Sequence, residues 1–214
     1  MALFSSPLAR SGWPFDAGES PFHVKGIAYA FHMEYVEQQI PGGIPAQRER
    51  LEDPVLQEFF DQTFFATNWY DVYPLVAAGH ACGEITGLGF EEFVRVRGRH
   101  QVQKDLGLVR RALLRVMSPA SLAIRVPKLN ASYFDFVEVQ SKAVGSDTVR
   151  GQCRGLPAAI LRWYQLVTET FIDEVVVRGG AASCRIDWDP ATPAGEAHGL
   201  PVLSCDYGVH WTRS

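Results

Sequence analysis

Hydrophobic and polar positions alternate with period two from Leu203 to Trp211. Leu203, Cys205, Tyr207, Val209 and Trp211 fall on one face, and Ser204, Asp206, Gly208 and His210 on the other. That period is the signature of a strand buried on one side. The same rhythm runs through Cys184, Ile186 and Trp188, which alternate with Ser183, Arg185, Asp187 and Asp189. Tyr133 to Val139 and Thr148 to Arg154 read as two more strands, joined through Gly145-Ser146-Asp147 as an antiparallel hairpin. Between the pairs the period changes to 3.6: Ile160, Tyr164, Val167, Phe171 and Val175 line one face of a helix that starts at Pro157 and stops at Gly179-Gly180. The C-terminal half is therefore strand, strand, helix, strand, strand, with Pro190 to His198 as a long loop before the last strand.

The N-terminal half reads as mostly helical. Residues 1–20 form an irregular lead-in, and one domain follows over 21–214. Ile27, Tyr29, Phe31, Met33 and Tyr35 alternate with Ala28, Ala30, His32 and Glu34, which predicts a strand ended by Pro41-Gly42-Gly43. Asp53-Pro54 sets a cap and a first-turn proline for a helix to about residue 66. Asn68 opens a second helix that ends near Gly83, and Leu106, Val109, Leu113 and Val116 stripe a third over 90–117. Ser118-Pro119 caps a short helix that Pro127 ends. The predicted class is α+β, with a helical N-terminal half packed on a four-stranded antiparallel sheet.

Composition narrows the function. The 214 residues are 47% hydrophobic and carry a net charge of −4, enough to bury a core and too acidic overall to attract nucleic acid. No apolar run approaches the roughly 20 residues of a membrane helix, and no signal peptide is evident, so a cytoplasmic location is expected. Cys82, Cys153, Cys184 and Cys205 contain no CxxC pair, which argues against a disulfide framework or a zinc ribbon. His80, Cys82 and Glu84 do not all point one way on a helix. Cys153, Cys184 and Cys205 all fall on apolar strand faces, as buried thiols do. Gly87-Leu88-Gly89 lacks the Gly-Lys-Ser/Thr of a phosphate loop, and no Ser sits in a G-x-S-x-G context. One charge bias exists: Arg95, Arg97, Arg99, Lys104, Arg110, Arg111 and Arg115, with His100, crowd one helical region. They suit a solvated face or an acidic partner.

The order of elements, with Phe64-Phe65-Ala66-Thr67-Asn68-Trp69-Tyr70 leading into a helix, resembles the four-vinyl-reductase-type small-molecule-binding superfamily. That superfamily includes heme-nitric-oxide/oxygen-binding domains and TRAPP small subunits. Arg97-Gly98-Arg99-His100, Asp105-Leu106-Gly107, Ser118-Pro119 and Tyr133-Phe134-Asp135-Phe136 are similar to an uncharacterised myxobacterial paralogous family. The resemblance, over about residues 22–190, implies a hydrophobic ligand, heme or acyl chain between helices and sheet. The residues agree, because Phe60, Phe64, Trp69 and Tyr73 from the first half and Phe134, Phe136, Trp163 and Tyr164 from the second offer aromatic walls for an apolar ligand.

Heme itself is not expected from the same resemblance. In heme-binding relatives the proximal His lies roughly a dozen positions before a proline that follows its helix. Counting back from Pro119 reaches Asp105 to Gly107, with His100 the nearest imidazole. Tyr133 to Val137 also lacks the Ser and Arg of the relatives' Tyr-x-Ser-x-Arg propionate grip. The expectation is therefore a non-enzymatic sensor or regulatory domain with no cofactor, binding an apolar small molecule or acyl chain, with a homodimer allowed. A protein-interaction adaptor using Arg95, Arg97, Arg99 and His100 against an acidic partner is the alternative, and an enzyme acting on an apolar small molecule comes third.

Overall fold

The first element departs from the sequence expectation, and the reason is physical. Ile27 to Tyr35 is part of α1 (Gly26–Gln39), which follows a three-residue strand β1 (His23–Lys25). Ala28, Tyr29, His32, Tyr35 and Val36 are its buried residues, at steps of three and four. The segment is so rich in apolar residues that a period of two fits it equally well, and the one polar side chain that would have decided, His32, is buried rather than exposed.

The computed structural model describes residues 15–105 and 117–213. The predicted helical stripe from Leu106 to Val116, with Arg110, Arg111 and Arg115, lies outside the described residues. The chain divides into two compact units between Arg97 and Gly98. In the first, α1 is followed by α2 (Gly43–Leu51), α3 (Pro54–Phe60), β2 (Trp69–Asp71), α4 (Tyr73–Thr86) and the start of α5 (Phe90–Asp105). Asp53 caps α3 as expected, its carboxylate accepting from the Val55 and Leu56 amides. Asn68 does not open a helix: Trp69 to Asp71 pair antiparallel with β1, and α4 begins at Tyr73.

The second unit holds the end of α5, α6 (Pro119–Ala131), β3 (Glu138–Ala143), β4 (Thr148–Pro157), α7 (Leu161–Arg178), β5 (Ala181–Trp188), β6 (Thr192–Ala197) and β7 (Leu200–Arg213). The order β3-β4-β7-β5 is antiparallel throughout, and β6 adds a fifth strand against the start of β7. The expected loop at 190–198 is thus largely strand. Pro193 and Gly195 mask it in the sequence, and an edge position tolerates both. Pro127 does not end α6 but lies inside it. A bulge between Arg154 and Leu156 is built on Gly155, whose φ of +83° favours glycine.

The inner face of the sheet carries Val149, Cys153, Cys205, Tyr207, Val209 and Trp211, all buried. α7 covers it with Tyr164, Phe171, Ile172, Val175 and Val176. Between α6 and α7, the buried Asn130 amide donates to the Thr168 hydroxyl at 2.9 Å, so neither polar group is left dry and unpaired.

Candidate functional site

The eight aromatic residues expected to line one pocket sort into two groups. In the first unit Phe64 stacks on Tyr29 with ring centroids 4.5 Å apart, and Phe59, Phe60 and Tyr70 close around them. Tyr73 is buried and tilts toward Phe22 at 6.5 Å. Trp69 departs from the expectation: it is 44% exposed, with the Lys25 ammonium 5.5 Å from its ring centre. In the second unit Phe134 meets Phe136, Trp163 and Tyr164 at 5.5, 5.9 and 5.3 Å. These four come together because Phe134 and Phe136 precede β3 and Phe134 meets the first turn of α7.

Four residues that the sequence gives no reason to group, His32, Gln47, Cys82 and Arg97, form a buried polar constellation in the first unit. The side-chain carbonyl of Gln47 on α2 accepts from His32 Nε2 at 2.6 Å and from the Cys82 thiol at 3.3 Å. Arg97 on α5 is 5% exposed and donates to the Ala28 carbonyl at 2.5 Å. This corrects the partner-binding role expected of Arg97, which is not on the surface. Its position four residues after the buried Phe93 was the available signal, since that spacing turns both inward. Arg95 is half-buried beside Glu91, Arg99 is exposed and His100 is half-buried.

Burial drives the His32 imidazole down to about 3, and the Arg97 charge acts in the same direction. Below pH 6.5 the unfolded chain takes up a proton that native His32 refuses. Its contribution is therefore complete above pH 6.5 and is lost as pH falls toward 3. Between pH 6.5 and 5 this amounts to about 2 kcal/mol. Urea unfolding of the wild type and of His32→Gln at both pH values checks it. The wild type should lose more stability than the variant on acidification, and equal losses would contradict the assignment.

The cysteines do not converge as a trio. Cys153 and Cys205 are cross-strand neighbours and both buried, whereas Cys184 lies opposite Trp211, six residues further along β7, about 20 Å away at strand spacing. Burial pushes the Cys153 thiol up to about 12, away from reactivity. No group of three or more metal-capable His, Cys, Asp or Glu occurs among the described residues. His80 instead stacks on Phe90 at 3.7 Å, and Glu84 pairs with Arg50.

No protein-family model matches the chain, and no curated protein matches it in sequence. Solved structures do. The Fe(II) unliganded H-NOX protein from K. algicida superposes with a TM-score of 0.60 at 10% identity, covering 89% of this chain and 97% of that one. An oxygen-binding H-NOX domain related to soluble guanylate cyclases gives 0.57 at 13%, covering 87% and 94%. A third, described by heme redox potential and porphyrin distortion, gives 0.55 at 12%, covering 86% and 98%.

The chain has the H-NOX fold. Of the relatives named by the sequence resemblance, these neighbours support the heme-nitric-oxide/oxygen-binding domains and not the TRAPP, four-vinyl-reductase or myxobacterial ones. They also overturn the expectation of no cofactor, because one of these neighbours is described by its heme redox potential, another as Fe(II) unliganded and another as an oxygen complex.

Which residues suit heme is a question of donor chemistry. Heme iron takes an imidazole nitrogen as axial ligand. His32 Nε2 is committed to Gln47, His80 is stacked on Phe90, and His210 stands on the outer sheet face beside Asp187. On α5, His100 holds its Nε2 shielded from solvent. The propionate grip differs from that of the relatives. Tyr133 is present and packs edge-on against Phe171, but Asp135 is exposed and Val137 is buried and apolar. No helix among the described residues is long and apolar enough to cross a membrane.

Proposed function

We propose that the chain is a non-enzymatic sensor domain whose cofactor is heme and whose signal is a small diatomic gas. The observation that carries this reading is the match of nearly the whole chain to nearly the whole length of H-NOX domains, two of them described as Fe(II) unliganded or oxygen-binding. His100, whose Nε2 is shielded from solvent on α5, is the imidazole this proposal assigns to the iron, in the described helix that precedes the Ser118-Pro119 cap. Heme held by the His100 imidazole would supply iron to bind a gas.

The test is optical. Protein loaded with heme and reduced should change its Soret band on addition of nitric oxide. His100→Ala should lower heme affinity by more than the roughly tenfold that removal of an outer-shell partner costs, while leaving the far-ultraviolet circular dichroism unchanged. An unaltered affinity in that variant would reject His100 as the donor. A second reading, an apolar ligand such as an acyl chain, is favoured by the Phe134, Phe136, Trp163 and Tyr164 rings. A lipid retained through native mass spectrometry, in place of heme, would select it.

A further inference from the structure

The outer face of the sheet holds a cavity of about 480 Å³, within the range of small-molecule sites. Its floor is made by adjacent cross-strand rows. In one row Lys142 lies directly opposite Arg150, and Arg150 opposite Gly208. In the next, Gln140 lies opposite Gln152, and Gln152 opposite Asp206. Asp189 joins this second row by donating its backbone amide to the Asp206 carbonyl at 2.9 Å.

Two cations directly opposite one another repel, so the first row costs the sheet stability. Nothing in the fold requires that cost. Lys142 has no carboxylate partner among the described residues. Arg150 reaches only Asp189, at 3.3 Å, and both side chains are about half exposed, where such a pair is weak and readily exchanged. Gly208 keeps the row open beyond Arg150: a methyl group there would come within 3.6 Å of the guanidinium carbon, so the guanidinium lies over a bare stretch of backbone. The second row has opposite chemistry. Gln152 donates to one Asp206 oxygen at 2.7 Å and accepts from Arg154 Nε at 2.5 Å, which fixes the Asp206 carboxylate with its other oxygen available. Gln140, beside Lys142 on the same face of β3, adds an amide that can both donate and accept.

We infer that this face binds a small phosphorylated polyol, with its phosphate on Lys142 and Arg150 and its hydroxyls on Asp206 and Gln140. Phosphate answers the paired cations, since charge-assisted hydrogen bonds to an oxyanion are the strong ones. Hydroxyl groups answer the carboxylate and amide, which a bare anion would not use. The site lies within the second unit and does not depend on heme.

Isothermal titration of the protein as purified, with glucose 6-phosphate, inorganic phosphate and glucose as probes, tests it. Glucose 6-phosphate should bind more tightly than inorganic phosphate, and glucose should show no binding. Lys142→Gln should weaken glucose 6-phosphate by about tenfold while melting no lower than the wild type, because the like-charge contact is relieved. Asp206→Asn should reduce the preference for glucose 6-phosphate over inorganic phosphate. The inference is overturned if neither phosphate compound binds at millimolar concentration, if glucose binds as well as its phosphate, or if Lys142→Gln and Arg150→Gln leave the affinity unchanged.

Discussion

Alanine in place of Phe134 is expected to cost about 3–5 kcal/mol of stability, the largest loss from any single aromatic truncation in the second unit. The ring is 6% exposed and meets three others at 5.3 to 5.9 Å, so its removal deletes the centre of the cluster and not its edge. Edge-on geometry with Trp163 and Tyr164 adds a further increment beyond buried area. Against a total stability of about 5–15 kcal/mol for a domain, such a loss moves the urea midpoint far toward zero. Phe134→Leu, which keeps most of the volume, should recover more than half of it. A loss below about 1 kcal/mol would show that the rings surround space already open in the native protein.

Gly151→Ala is the second large effect. A methyl group at Gly151 would stand 2.2 Å from Cζ of Tyr207, 2.3 Å from its hydroxyl oxygen and 2.6 Å from the Gln140 carbonyl. Tyr207 lies flat across this glycine on the inner face, flanked on its other side by Trp188 at 5.5 Å. The ring would have to leave, and the β3 backbone would have to shift as well. The expected loss is about 3 kcal/mol. In the Tyr207→Leu background the same substitution should cost less than in the wild type, since the two changes share one contact. Equal costs in both backgrounds would mean that the Gln140 carbonyl, not the ring, sets the limit.

The two substitutions also mark what the sequence made legible. The alternation of β7 and the apolar stripe of α7 were readable because each buries one face and leaves the other polar. Gly151 sits in the middle of β4, and a strand glycine signals close approach by another group, but the sequence does not say which group approaches. Strand β3 begins at Glu138 and not Tyr133, because Tyr133 to Val137 serve as an aromatic lead-in to the strand. The α1 segment reads as a strand from sequence because its apolar richness fits a period of two as well as a helical one. The buried constellation of His32, Gln47, Cys82 and Arg97 was hidden for a related reason: composition marks polar residues as surface, and only the packing of α1, α2, α4 and α5 turns these inward.

The candidate site was legible in part. The four aromatic residues of the second unit were found by type and do assemble, whereas Trp69 and Arg97 exchange the environments expected of them. The tryptophan is exposed and the arginine buried. Motif spacing argues against heme, yet spacing is a property of close relatives, and at 10–13% identity the fold persists where the motif does not.

The proposed heme site at His100 is open to one direct measurement. Titration of the purified protein with hemin, followed by its Soret absorbance, tests that most directly. Saturation at one heme per chain is expected, with a band shifted from that of free hemin, and with loss of the shift in His100→Ala. A titration that adds only as free hemin, with no saturating band in the wild type, would contradict it.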